Sequence, residues 1–595
     1  MTQQGGPFNA WNPGLESELP RAFLPLSTVF RAENVTTPVA KAHELAAWCG
    51  LPPHELVAFR PERLIVHETL IHVTTGISVP DGVDYEDLGR NFRGIAATIL
   101  SRYVPPHREE VLRAFARVRD AAAAFIGEEL ARAQAAPPAA PREKAPGLLR
   151  RLFGGAQDPP PRAAAKPAAE RELDIIARWR HAAETAGDPL QAACFEALHT
   201  VATGVFARQS RLFGNVPLLG EIAVTLVSNS YGSEAIGEAL APHVREAAEK
   251  EGFRLLPRQE HPVVMNVKGA SAAGKSSMRP RQRDLARKLK FPWEEFALIS
   301  PDIWRKFLLD YDSLGEAYKY SGTLSGHEIE IVDKKLDRRM AALALRGDMP
   351  HLLIDRFRFD SFVPELEGHG SNRLLTRFGD LVYLFFMITP PEMTVERAWL
   401  RGLKVGRYKA VEDLLAHNVE AYTGMPELFF TWALAAAKRV HYEFLDNSVA
   451  EGEAPRTVAF GWNTEMTILD VGKMIDIERY RKVEIAARQP GDVYRGRNLA
   501  PDRNVDFLKR CVRWIPVINF ADRQTGEVYA RLRDGKPVWC DAKLLAQAMK
   551  DDDARTGLEA IGITAAVQDA GGEAPADLSG ALLHTIGRWG EALVR

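Results

Sequence analysis

The chain has 595 residues, with 76 Lys+Arg against 78 Asp+Glu, a formal net charge of −2 at pH 7. That balance excludes a chain that binds polyanions over its whole surface, while leaving room for a local basic patch. Hydrophobic residues make up 46% and charged residues 26%, the composition of a globular protein and not of a disordered one.

Residues 1–130 read as a mainly helical domain. Val111 to Arg132 is dense in Ala, Arg, Glu and Leu at helical apolar spacing. Within this domain, His67-Glu68-Thr-Leu-Ile-His72 invites a metalloprotease reading. Its histidines are five apart, about 140° around a helix, where that chemistry needs them four apart on one face. Val66, Ile71, Val73, Thr74 and Thr75 favour a strand there, and no metal is assigned.

Residues 131–170 carry Pro137, Pro138, Pro141, Pro146, Pro159, Pro160, Pro161 and Pro167 among many alanines. Such a segment cannot bury enough apolar surface to repay its ordering entropy, so a linker is expected. Beyond it, Ala168 to Phe206 reads as two helices broken at Gly187-Asp188-Pro189, and Ser233 to Glu251 as another. The stretch 171–257 is expected to be a helical segment packing on the domain that follows.

From about residue 258 short apolar runs alternate with helical stretches. His261 to Val267, Ala297 to Ser300, His351 to Ile354 and Leu381 to Ile388 have the pattern of buried parallel strands. The predicted domain, 258–450, is α/β, a doubly wound parallel sheet. Residues 455–595 are expected to form a small α+β C-terminal domain. In it Val528 to Arg533 meets Lys536 to Cys540 across Asp534-Gly535, a type I′ hairpin signal.

The cysteines, Cys49, Cys194, Cys511 and Cys540, lie far apart and form no CxxC pair. The start, Met-Thr-Gln-Gln-Gly-Gly, lacks a signal-peptide pattern, and the longest apolar run, Leu381 to Ile388, is far short of the roughly 20 residues that cross a bilayer. The expectation is a cytoplasmic protein with no membrane partner.

One motif carries chemistry. Gly269-Ala270-Ser271-Ala272-Ala273-Gly274-Lys275-Ser276 matches G-x-x-x-x-G-K-[ST] in full, and Val263 to Val267 supplies the strand that must precede it. Glycines let backbone N–H groups wrap a phosphate as a nest. Lys275 then reaches the β- and γ-phosphates of ATP, and Ser276 offers its hydroxyl to Mg²⁺. Ser277 closes the predicted nucleotide-binding stretch. Pro280 falls five residues after Lys275, so either the helix kinks or a second helix begins there. Small P-loop kinases place an acid after the second strand, here Asp302, and arginines further on, here Arg397, Arg401 and Arg407.

On these residues the stretch from about 258 to 445 resembles the zeta-toxin family of P-loop kinases. The features are the loop 263–276, Ile299-Ser-Pro-Asp302-Ile-Trp-Arg305, the helix Val332 to Leu345 leading to Leu352-Leu-Ile354-Asp355, and Glu396-Arg397 followed by Gly406-Arg407-Tyr-Lys-Ala. The resemblance implies transfer of the ATP γ-phosphoryl to a hydroxyl of a nucleotide-sugar or other small metabolite. It makes Lys275, Asp302, Arg397 and Arg407 catalytic, with Asp302 as general base and the arginines on the γ-phosphoryl. It makes Asp355 and Asp337 substrate-binding. The family tends to follow its strand-end acid with a Gly-Thr-Gly-Arg-like segment, but here Asp355 precedes Arg356-Phe357-Arg358-Phe359. That points away from UDP-N-acetylglucosamine as acceptor and adds Arg358 to the candidate substrate contacts.

Each site has a plainer reading. Asp302 fits a helix cap, Asp355 a salt bridge to Arg356 or Arg358, and Arg397 and Arg407 solvated helix charges. The run Arg279, Arg281, Arg283, Arg287, Lys288 and Lys290 fits a solvated helix face, or else a nucleic-acid end. The alternatives to a small-molecule kinase are therefore a polynucleotide kinase, or a non-catalytic NTP-binding switch between helical domains. Residues 170–250 either cover one face of the sheet as part of an enlarged core or, as the sharper reading, limit ATP access in cis, since a tethered segment acts at high effective concentration.

Overall fold

The computed structural model describes residues 8–84, 86–135, 167–356, 375–564, 575 and 577–593. Arg358 and most of the expected linker lie outside them. The chain divides into two units. One comprises Met1–Thr28, Leu70–Ile99 and Val244–Arg595; the other comprises Val29–Thr69 and Leu100–His243. No described helix is long and apolar enough to cross a membrane.

The second unit is helical. Asp188 starts the helix Pro189–Gln209 by accepting from Leu190 N at 2.9 Å, and Asn215 starts Val216–Val227 by accepting from Leu218 N at 3.2 Å. Both helices have Pro in the first turn, where a missing N–H costs nothing. The core joins Leu45, Ile126, Ile175, Trp179, Leu198 and Leu219. Trp179, fully buried, donates its Nε1 to Glu129 at 3.0 Å. Helices Arg108–Ala135 and Ala168–Thr185 thus share one core, although the Pro-rich segment between them suggested separate domains. Each exposes an apolar stripe that it cannot bury alone.

The run around His67 and His72 lies in the helix Pro61–Gly76, which corrects the strand expectation. His67, Thr69, Leu70, Ile71, Val73 and Thr74 are all buried. Burial on every side overrides β propensity, which reflects packing more than backbone preference.

The first unit is built on one sheet of ten strands. These are β1 (Val263–Lys268), β2 (Phe296–Ile299), β3 (His351–Ile354), β4 (Leu381–Ile388), β5 (Arg439–Asp446), β6 (Arg456–Trp462), β7 (Glu465–Ile468), β8 (Val517–Ala521), β9 (Val528–Arg533) and β10 (Lys536–Cys540). Their order is β10-β9-β8-β7-β6-β5-β4-β1-β3-β2. The run β2-β3-β1-β4-β5 is parallel throughout, and its first four strands are the four apolar runs of the sequence. Helices Arg279–Lys288, Gly326–Arg346, Pro391–Val405 and Val411–Ala433 alternate with these strands, an α/β fold. β3 lies on one side of β1 and β4 on the other, so the chain changes direction at β1. In open α/β sheets such a switch point leaves a crevice at the carboxyl ends of the strands.

The sheet does not stop where a separate C-terminal domain was expected. β5 pairs antiparallel with β6, Asp446 opposite Arg456, and pairing continues to β10. The β9–β10 hairpin forms as its sequence indicates, with Arg533 opposite Lys536 and left-handed φ at Asp534 (48°) and Gly535 (75°).

Glu443 on β5 is fully buried and anchors the C-terminal segment. It accepts from Thr457 Oγ1 at 2.7 Å, Ile586 N at 2.8 Å and Gly587 N at 3.0 Å. Burial pushes its carboxyl up to about 7, against the downward pull of these bonds. The folded chain therefore keeps a proton that the unfolded chain releases near 4.5, so this residue's contribution to stability falls as pH rises between those values. Glu443→Gln is expected to remove that decline, raising Tm relative to wild type more at about pH 8 than at about pH 5. Parallel Tm curves for the two proteins would contradict it.

Candidate functional site

Three loops meet at the carboxyl ends of β1, β2 and β3. The first, residues 269–276, follows β1. A Cβ on Gly269 would lie 2.8 Å from Met387 Cβ, and one on Gly274 2.3 Å from Asn447 Nδ2. Gly274 also has φ 97°, so only glycine suits either position. Ala272 is held at φ 61°, an unusual conformation for a residue with a side chain. Two side chains from neighbouring strand ends pin the loop: Asn447 Nδ2 and Thr389 Oγ1 both donate to Ala273 O, at 2.8 and 3.0 Å. Lys275 Nζ donates to Gly269 O at 3.1 Å and Ala270 O at 2.9 Å. Ser277 Oγ donates to Gly274 O at 2.6 Å. Residues Lys275–Met278 form a 3₁₀ turn and the helix proper starts at Arg279 with Pro280 in its first turn, so proline begins a second helix here and does not kink the first.

The second loop holds Asp302, in the 3₁₀ turn Pro301–Trp304 after β2. Its side chain caps no helix. Instead Arg305 Nε donates to Oδ1 at 2.9 Å and Arg407 Nη2 to Oδ2 at 2.5 Å. Burial acts to raise its carboxyl, but the guanidiniums of Arg407 and Arg305 outweigh it and hold the group below the ordinary carboxylate range. The side chain keeps 45% of its surface open. The third loop carries Asp355, whose N donates to Ile299 O at 2.9 Å, and which accepts a hydrogen bond from Ser276 Oγ.

The structure therefore brings Lys275, Ser276, Asp302, Asp355 and Arg407 together. Burial lowers the Lys275 pKa, opposed by the nearby charges of Asp355 and Asp302. Arg401 adds to the cluster, its Nε 3.4 Å from Arg407 O. Lys409 adds another cation that the sequence motif contained without marking. Burial pushes it down to about 7, with Asp413 opposing and Arg401 and Arg305 reinforcing. His417, 3.1 Å away, is pushed down to about 2 by burial and then by Lys409 and Lys275. A concentration of cations around two aspartates, beside a loop of inward-folded backbone, is suited to a multiply charged anion.

Three predicted residues behave differently. Arg397 donates from Nη2 to Asn447 O (2.8 Å) and Val449 O (2.9 Å), so it braces the segment that pins the 269–276 loop. Half-buried and bonded to two carbonyls, it is not a solvated helix charge, and burial lowers its pKa. Asp337 is buried and pairs with Arg356 at 3.0 Å, as does Asp333 at 2.8 Å. Arg356 is thus the centre of a buried ionic triad and is not the partner of Asp355. Arg358 lies outside the described residues. A hollow of about 480 Å³ is lined by Asn9, Trp11, Glu396, Trp399 and Arg488 among others, and by none of the clustered residues.

Comparison with family models, with curated proteins and with solved structures finds no match to this chain.

Arg356→Ala leaves two carboxylates buried without their shared cation. Loss of one partner of such a group costs about 3–5 kcal/mol, to be read as a drop in denaturant unfolding free energy. A loss within about 0.5 kcal/mol, the range of ordinary surface changes, would show that the triad is solvated.

Proposed function

We propose that the chain is an ATP-dependent phosphotransferase of the zeta-toxin type, which moves the ATP γ-phosphoryl to a hydroxyl of a small metabolite. The observation that carries this reading is the meeting of the Gly269–Ser276 loop with Asp302 and its two arginines, at the switch point of a parallel sheet. The residues fit both cofactors. Gly269 and Gly274 let the loop pack against Met387 and Asn447, where a Cβ would clash, and Ser276 with Asp355 offers the hard oxygen donors that Mg²⁺ prefers.

Bound MgATP supplies the transferable phosphoryl group and the cation that neutralises its oxygens. The protein's own residues supply position and charge. Lys275 exchanges its loop carbonyls for phosphate oxygens. Asp302, ionised at neutral pH because of Arg305 and Arg407, accepts a hydrogen bond from the acceptor hydroxyl, aligns it and takes its proton. A weakly basic carboxylate suits a loose transition state, in which the nucleophile's bond forms late. Arg407 already touches Asp302, so a small movement carries its guanidinium from the base to the transferring group. Arg397 acts as a positioning residue through the 447–449 segment.

A small acceptor is favoured over a polynucleotide end because the part of the basic run nearest the loop faces inward. Arg279 is buried and Arg283 is half-buried, 3.3 Å from Asp81, while the exposed Arg287, Lys288 and Lys290 lie at or just past the far end of the helix.

Lys275→Ala is expected to abolish phosphoryl transfer with the fold intact, because such charge clamps contribute several kcal/mol in the transition state. Asp302→Asn is expected to keep ATP affinity and lower turnover by about 10²-fold, the scale of a lost general base. Steady-state ADP release and equilibrium ATP binding read the two effects. Unchanged turnover in Lys275→Ala would remove the phosphotransferase reading.

A further inference from the structure

Beside Asp302 the first unit contains a narrow cleft of about 40 Å³, lined by Arg93, Arg279, Asp302, Arg305, Lys306 and Arg407 among others. Its charges do not balance. Arg305 and Arg407 are both paired with Asp302, and Lys306 lies 3.0 Å from Glu86. Arg93 and Arg279 are left over. The Arg279 residue is only 7% exposed, yet its guanidinium makes no hydrogen bond or ion pair among the described residues. Arg93 is half-buried and likewise makes no ion pair there, and burial lowers its pKa. Two guanidiniums facing one cleft without a counter-charge favour an anion between them.

The cleft also has a built wall. The helix Asp87–Thr98 is held to the sheet unit by Lys306–Glu86 and by Arg283–Asp81 at 3.3 Å. Gly89 on that helix faces Arg93, and a Cβ there would come within 2.9 Å of Arg93 Nη1, so glycine leaves the guanidinium its place. Two planar forks match the oxygens of a phosphate, which is recognised by paired N–H donors. The free space suits a compact oxyanion and is too small for a nucleotide.

We propose that this cleft is a second anion site, distinct from the nucleotide loop, in which Arg93 and Arg279 hold a phosphate already present on the acceptor. The acceptor is then a phosphomonoester that also carries a free hydroxyl. This rests on the phosphotransferase reading for its purpose, though the anion site itself does not require it. Arg279 lies four residues beyond Lys275, so one short turn serves both sites, with Asp302 lining the cleft where the acceptor hydroxyl must come.

The test titrates inorganic phosphate into the full chain saturated with Mg²⁺ and a non-hydrolysable ATP analogue. Phosphate is expected to bind without displacing the analogue. Arg279→Met and Arg93→Met are each expected to weaken it about 10- to 100-fold, the range for a charge-assisted contact. Both variants should melt at or above the wild-type temperature in phosphate-free buffer, because an unmatched buried charge has been removed. In transfer assays a sugar phosphate should be preferred over the same sugar without phosphate, and Arg279→Met should erase that preference. Phosphate binding is expected to survive Lys275→Ala, which separates failure of this site from failure of the phosphotransferase reading. Competition between phosphate and the analogue would overturn the proposal by assigning the cleft to the nucleotide's own phosphates. So would lower melting temperatures with phosphate binding intact.

Discussion

The ion pair between Arg407 and Asp302 ties the site together. Asp302 follows β2, at the edge of the parallel run, whereas Arg407 follows the helix Pro391–Val405, which leaves β4 on the far side of β1. Closing that contact folds the connection after β4 back across the carboxyl end of the sheet. It carries Arg401 and Lys409 with it and surrounds the 269–276 loop with cations. A cluster of like charges is stable only where carboxylates interleave it, and Asp302, Asp355 and Asp413 do so here. The ionised state of Asp302 follows from this arrangement, and burial, reinforced by the neighbouring cations, lowers the pKa of Lys409 and keeps His417 neutral.

The 269–276 loop is held for a related reason. Its Ala273 carbonyl is held by Thr389 after β4 and Asn447 after β5, and Arg397 holds Asn447 in turn. Groups that bind a charged transition state must already be oriented, since reorienting them during the reaction would take back much of the stabilisation. Strand ends provide that fixity because the sheet's hydrogen bonds leave them little freedom. The same sheet extends without interruption to β10, so the C-terminal strands belong to the scaffold that carries the site.

What could be read directly from sequence was local. Four apolar runs became β1 to β4, the glycine-lysine-serine motif became the pinned loop, and Asp534-Gly535 became its hairpin. Asp302 and Asp355 were legible because a strand followed by an acid is a short-range pattern. The rest depended on distance along the chain. Asn447 meets a carbonyl 174 residues away, and nothing near it in sequence marks that role. Arg93 reaches the cleft from a stretch whose composition matches the surrounding helical region. Asp337 looked like a substrate acid until Arg356, 19 residues on, proved to occupy it. The Pro-rich segment marked a change in composition but not a boundary between cores, because Trp179 and Glu129 pair across it. The histidines of Pro61–Gly76 show the same limit, since burial on all sides chose the helix where residue preferences favoured a strand.

The central claim is phosphoryl transfer to an organic hydroxyl. It is tested most directly by incubating the full chain with ATP labelled at the γ position, Mg²⁺ and a pool of phosphorylated and unphosphorylated metabolites. The account predicts that label appears in an organic phosphate ester in equal amount to the ADP formed, and that ADP forms only when an acceptor is present. Label that stays in ATP, or that is released only as inorganic phosphate regardless of acceptor, would contradict it.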